Sequence, residues 1–119
     1  MILVKIHNSL KEKVSTELAI REYWKLSLKE IEAHAPRYIL GLDKNNVVVG
    51  VIEGAHAEIA TLTNCKRFDP VDTGKGKVCF VGGQFYGVLT GHHLIGKKVS
   101  GLFQNSKYFT PEQFTEMCE

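Results

Sequence analysis

Apolar positions along this chain recur in two rhythms, and each change of rhythm marks an element. Residues 2–6, Ile-Leu-Val-Lys-Ile, run apolar or alternate with a β-branched bias, which predicts a first strand buried on at least one side. From Ser15 or Thr16 to Leu26 the residues Ala19, Ile20, Tyr23, Trp24 and Leu26 recur at helical spacing, with Glu17 in the first turn, so a helix is predicted there. Ser27-Leu28-Lys29-Glu30 has capping-box spacing: the Ser27 hydroxyl accepts from the Glu30 N–H while the Glu30 carboxylate reaches back. It opens a second short helix to about His34, which Pro36 ends by pushing its predecessor out of the α region. Residues 38–42 and 47–53 are β-branched or apolar runs flanking Asp43-Lys44-Asn45-Asn46, which predicts a hairpin. Residues 54–62 fit neither period and read as either a strand or a bent connector. The proline, aspartates and glycines of residues 66–77 predict an exposed, mobile loop. A strand resumes at 78–81 and stops at Gly82-Gly83, short edge strands are predicted at 94–99 and 107–109, and Thr110-Pro111-Glu112-Gln113 opens a last helix.

The order β, α, α, β, β, then short strands with long glycine-bearing loops is not the alternation that builds a parallel sheet. It predicts one α+β domain over residues 1–119: a small, bent antiparallel sheet or partly open β-barrel with two N-terminal helices and a short C-terminal helix. A chain of 119 residues is enough for one core, and its 44% apolar and 24% charged residues are ordinary for a globular protein. No stretch approaches the roughly 18 apolar residues of a membrane span, and the opening segment carries charge too early for a signal peptide. Three widely spaced cysteines, Cys65, Cys79 and Cys118, predict reduced thiols, a cytoplasmic protein and no structural disulfide.

The net charge of +2 does not announce nucleic-acid binding unaided, but its distribution is uneven. Lys66, Arg67, Lys75, Lys77, Lys97, Lys98 and Lys107 gather in the second half, where Asp69 and Asp72 are the only carboxylates between Glu58 and Glu112. This pattern suits either one basic face or a dispersed solvated surface.

The segments 2–6, 21–27, 35–42 with 47–52, 76–82, 94–99 and 104–108 occur in an order that resembles the accessory domain found beside GIY-YIG nuclease domains of the LEM-3-like type, and as a stand-alone domain in phage and bacterial defence contexts. The likeness spans nearly the whole chain. It implies a nucleic-acid-associated module built as a compact barrel similar to the PUA and ASCH group, which holds RNA or modified bases. It does not imply nuclease activity, because the paired tyrosines, arginine and metal-binding glutamate of the nuclease half are missing in order. Ser106 stands where that family usually has the proline of Gln-Asn-Pro, and no tryptophan occurs near residues 55–58.

Candidate binding residues follow from side-chain chemistry. Tyr23, Trp24 and Lys25 form one cluster, in which Trp24 either stacks on a single-stranded base or fills the core with its indole N–H paired. Gln104 and Asn105 offer amides to base edges or phosphates, unless Asn105 only caps a local turn, and Lys107 and Tyr108 put charge and ring on opposite sides of a strand. Lys97 and Lys98 after Gly96 suit phosphate, or form a basic strand edge that discourages aggregation. His92 and His93 with Cys65 and Cys79 lack structural zinc spacing, since the two cysteines are fourteen residues apart. Cys79 lies in an apolar run, Cys65 beside Lys66 and Arg67 reads as the more exposed thiol, and neither has an arguable partner base. Gly74, Gly76, Gly82 and Gly83 do not join a strand to a helix in the dinucleotide manner. The expected function is therefore a nucleic-acid-binding module for RNA, single-stranded DNA or a modified base, without catalysis, cofactor, metal or membrane. The alternative is a protein-binding inhibitor or adaptor of phage type, and a third possibility is an enzyme acting on a nucleotide derivative.

Overall fold

The computed structural model describes residues 1–11, 14–66, 69, 77–100 and 106–119. Strand β1 (Ile2–Lys5) leads through α1 (His7–Lys11), α2 (Thr16–Arg21), β2 (Trp24–Lys25) and α3 (Leu28–His34) to the hairpin β3 (Tyr38–Leu42) and β4 (Val48–Glu53). Then follow β5 (His56–Ile59), β6 (Lys77–Val81), β7 (Gln84–Gly87), β8 (Ser106–Tyr108) and α4 (Pro111–Met117). The strands make two sheets, one of five strands in the order β7-β4-β3-β1-β8 and one of three in the order β2-β6-β5. The α+β class is as the sequence predicts. The fully antiparallel sheet is not, because β1 pairs parallel with β3, Ile2 opposite Ile39 and Val4 opposite Gly41. The connection from β1 to β3 holds three helices and β2, ample for the crossover that a parallel pair requires. Three short helices, not two, therefore precede the hairpin, and both sheets are open rows of strands.

Both faces of the larger sheet are covered. Ile2, Val4, Ile39 and Ile52 point to a core shared with Ile20, Trp24, Ile31, Val78 and Phe80, while Leu3, Leu40, Leu42 and Val51 point to a second core with Leu94, Val99, Phe109 and Phe114. That is why the first strand reads as an uninterrupted apolar run rather than a clean alternation. The smaller sheet lies over the first core through Val78 and Phe80, and α4 closes the second through Phe114.

Local chemistry explains where elements start and stop. Ser15 Oγ accepts from the Leu18 N–H at 3.2 Å, Ser27 Oγ accepts from the Glu30 N–H at 3.3 Å, and Thr110 with Gln113 completes a reciprocal capping box. The Glu30 carboxylate makes no return bond among the described residues, so the box predicted at Ser27 is only half formed. The helix predicted to run on to Leu26 stops at Arg21. Tyr23 takes a left-handed backbone, φ 73°, its N–H donates to the Val78 carbonyl at 3.1 Å, and Trp24 pairs with Val78 as strand β2. The Ile20 carbonyl, which a continuing helix would offer to the Trp24 backbone N–H, instead accepts the Trp24 indole N–H at 2.8 Å. Residues 54–62, open in the sequence, contain β5, whereas residues 94–99 form turns, with isolated bridges Val47 to Lys98 and Val99 to Cys118, that bond to the start of β4 from the Gly96 N–H to the Val48 carbonyl and from the Val48 N–H to the Lys97 carbonyl, both at 2.9 Å. Most of the loop predicted at 66–77 lies outside the described residues.

Helix α2 approaches the larger sheet more closely than side chains would allow. Gly41 and Gly50 face each other across β3 and β4, and a Cβ on Gly41 would stand 2.6 Å from Ile20 Cγ1, one on Gly50 2.7 Å from Ile20 Cδ1. Replacing glycine by alanine ordinarily stabilises through the unfolded chain by roughly 0.4–1 kcal/mol where the site is open. Here overpacking against a stiff β-branched side chain dominates, so Gly41→Ala is expected to lower stability by about 1–3 kcal/mol. Urea denaturation checks this, and Ile20→Ala in the same background should make the Gly41→Ala change close to neutral.

Candidate functional site

The predicted binding residues fall in three places. On the smaller sheet, Tyr23 has the Lys77 ammonium 4.0 Å from its ring centroid, and Lys25 is exposed directly across the strand pair from Lys77. Between them in sequence, Trp24 is only 9% exposed and packs in the first core, so its ring is core filling with a satisfied indole. On the second-core side of the larger sheet, Lys97 is exposed at a small hollow while the Lys98 ammonium sits 3.8 Å from the Glu119 carboxylate. At the β8 edge stand Lys107, exposed, and Tyr108, half-buried against the first core. Gln104 and Asn105 lie outside the described residues.

Among the described residues four hollows frame what these groups can do, and Trp24 lines none of the four. A groove of 780 Å³ beside β7 is bounded by Leu10, Val49, Phe85, Val88 and Leu89, with Glu17 and Asp43 at its rim. A pocket of 490 Å³ lies between the end of α3 and the start of β5. Lys97, Tyr38, His93 and Phe114 border a hollow of 220 Å³. The fourth, 190 Å³, is a cleft between α3 and the edge strand β8.

The α3/β8 cleft has the arrangement best suited to a flat ligand. Ser27, Glu30, Ile31 and His34 follow one another at i, i+3, i+4 and i+7, so one side of α3 presents them together to Ser106, Lys107 and Tyr108. The rings of His34 and Tyr108 stack with centroids 4.0 Å apart and planes inclined by 18°. His34 is exposed, so the stack has an outer ring that reaches solvent. Of these residues the sequence reading picked out Lys107 and Tyr108 as ligand-binding and missed His34 and Glu30. The available signal was that the i, i+3, i+4, i+7 stripe on α3 carries one apolar residue among three polar ones.

A second cluster missed by sequence reasoning joins β3, β4 and the turn after β7. Glu53 Oε2 accepts from Arg37 Nε at 3.1 Å and Nη2 at 2.8 Å, and its Oε1 stands 3.6 Å from His92 Nε2. His92 Nδ1 accepts from the Leu94 N–H at 3.2 Å, which leaves Nε2 as the protonated nitrogen aimed at Glu53. The ring, 8% exposed, is wedged among Tyr86, Tyr38 and His93 at centroid distances of 5.0, 5.6 and 4.4 Å. This is a structural clamp that pins the 92–97 turn to the sheet. His92 and His93 thus belong to a different cluster from Cys65 and Cys79, which share a small core with Ala60 beneath the smaller sheet. Cys65, expected to be exposed, is 2% exposed because the chain after β5 folds back under β6.

Two ionisation effects give measurable consequences. The Arg37 guanidinium, and secondarily His92, hold the Glu53 carboxyl below its ordinary value of 4.5. A carboxyl lowered in the folded state stabilises above its unfolded value, and the contribution disappears as pH falls through the folded one. The stability advantage of the wild type over Glu53→Gln, read as a urea midpoint, should therefore be present at pH 7 and shrink as pH falls below 4.5. Burial, with smaller effects from Cys65, Glu58 and Glu22, pushes the Cys79 thiol from 9.0 up to about 11. At pH 8 that leaves about a hundredfold less thiolate than an ordinary thiol has, so a thiol-reactive dye should label half-exposed Cys118 well before Cys79. Comparison with family models, curated proteins and solved structures finds no match to this chain.

Proposed function

We propose that the protein is a nucleic-acid-binding module that holds single-stranded RNA or DNA without transforming it. The observation that carries this reading is the stacked His34–Tyr108 pair on the wall of the α3/β8 cleft, with Lys107 beside it. Aromatic stacking binds any base through its π-face, for roughly 1–3 kcal/mol per base, and an adjacent ammonium neutralises backbone phosphate. The stacking role first considered for Trp24 passes to His34 and Tyr108. Gln104 and Asn105 lead directly into β8, and the family resemblance in the same segment points the same way. Tyr23, Lys25 and Lys77 on the smaller sheet, and Lys97 near Tyr38 and His93, are further places where a strand could touch a ring and an ammonium together.

A second reading, a protein-binding adaptor, is favoured by a different feature. Val88 and Leu89, 68% and 102% exposed, flank the apolar groove next to β7, the outermost strand of its sheet. Large exposed aliphatics at a sheet edge are a common docking surface.

Fluorescence anisotropy with a labelled single-stranded RNA separates the two. Two or three phosphate contacts give a slope of log affinity against log salt of roughly −1.4 to −2. Tyr108→Ala should weaken binding about tenfold, consistent with the loss of one stack, and Lys107→Glu should flatten the salt slope. Leu89→Glu should leave RNA affinity unchanged. Absence of binding at 50 mM salt, or affinity indifferent to salt, would defeat the proposal, and a partner captured from nuclease-treated lysate and lost in Leu89→Glu would favour the adaptor.

A further inference from the structure

We propose that the α3/β8 cleft selects guanine, with the Glu30 carboxylate accepting from the base's adjacent N–H groups; this deepens the nucleic-acid reading and rests on it. Size comes first. At 190 Å³ the cleft has roughly six times the liquid volume of one water and falls below the roughly 300–1,000 Å³ of pockets that take drug-sized ligands. It suits one planar ring system. The exposed His34 ring, already stacked on Tyr108, offers a face on which a third ring continues the pile.

Polarity then chooses among the bases. Glu30 is the one carboxylate among the residues lining the cleft, and it makes no hydrogen bond or ion pair among the described residues. In a cleft meant only for phosphate, a carboxylate beside Lys107 would repel the ligand. It becomes favourable if it meets donors. An ionised carboxylate only accepts, through two oxygens side by side, and so matches two neighbouring N–H groups. Guanine presents that pair on its Watson–Crick edge, N1–H beside the N2 amino group. Adenine and cytosine each place a ring-nitrogen acceptor beside their amino group, and uracil's single N–H lies between two carbonyls, so each sets an acceptor against the carboxylate. The site uses the side of α3 that faces β8, where Glu30 and His34 are one turn apart and can hold the edge and the face of the same base.

The alternative role for Glu30 is purely structural, a negative side chain placed favourably in the first turn of α3. The test separates them. Affinity is measured for uridine nonamers whose central residue is guanosine, inosine, adenosine or uridine. The wild-type protein should prefer guanosine over adenosine by about tenfold, with inosine, which keeps N1–H but lacks the amino group, in between. Glu30→Gln should shrink the guanosine-to-adenosine ratio to about twofold while its thermal midpoint stays near wild type, and should raise affinity for the all-uridine nonamer, whose carbonyls no longer face a carboxylate. Glu30→Asp, which keeps the charge but retracts it, should give an intermediate ratio, and it maintains the test if Glu30→Gln folds poorly. Equal affinity for all four nonamers, or a guanosine preference that survives Glu30→Gln, overturns guanine selection and leaves the nucleic-acid reading standing. Failure of every nonamer to bind overturns the broader reading and this inference with it.

Discussion

The seat of Ile20 between Gly41 and Gly50 is the contact on which the arrangement of the whole molecule depends. It sets α2 directly on the backbone of β3 and β4, closer than any side chain on those strands would permit. The end of α2 then becomes the anchor of the smaller sheet: the Ile20 carbonyl takes the Trp24 indole N–H, and Arg21 donates to the carbonyls of Phe80 at 3.3 Å and Gly82 at 2.7 Å. One turn of helix thus packs downward on β3 and β4 and bonds sideways to β2 and the end of β6. The buried indole N–H is satisfied within the same few residues, and leaving it unpaired would cost more than the bond itself contributes.

This constraint decides where a ligand can go. With the smaller sheet and the helices over one face of the large sheet, and α4 with the 92–99 turns over the other, the middle strands β1, β3 and β4 are committed to packing. Within the larger sheet, the strands left open to a ligand are the two at its edges. Strand β8 meets α3 in a cleft with rings and charges, and strand β7 borders an apolar groove, so the two functional readings correspond to the two edges of one sheet.

Features encoded within a few residues were legible in the sequence, and features needing a distant partner were not. The hairpin was clear because Asp43 Oδ1 accepts from the N–H groups of Asn45 and Val47, and Asn46 takes φ 62°, chemistry that its own side chains announce. The caps at Ser27 and Thr110 were clear for the same reason, and of the two candidates Ser15 and Thr16 the structure uses Ser15. The helix running on to Leu26 was a false extension: Tyr23, Trp24 and Leu26 satisfy helical spacing, but Tyr23 and Trp24 bond to β6, more than fifty residues later. The parallel pairing of β1 with β3 was equally invisible, because β1 carries apolar residues on both sides and its pattern specifies no partner. In the candidate site, Lys107 and Tyr108 could be picked out by chemistry alone, whereas His34 gains its meaning only from a strand over seventy residues away.

Charge is a secondary force in this protein, and that shapes what any nucleic-acid contact must look like. Arg21 is held by Glu17, Arg37 by Glu53, and Lys98 stands near Glu119, so several cations visible in the composition are locally compensated. Exposed pairs of this kind add little stability, but they do reduce the field available to a polyanion. If the chain binds nucleic acid as proposed, a net charge of only +2 limits what long-range attraction can supply. Binding that depends less on phosphate must depend more on the bases, and rings held rigidly by packing lose little entropy when a base joins them. Tyr108 meets that requirement, fixed on a strand against the first core, with His34 laid over it by α3. A weakly charged scaffold whose accessible rings are pre-stacked is therefore better suited to reading one unpaired base than to coating a long strand.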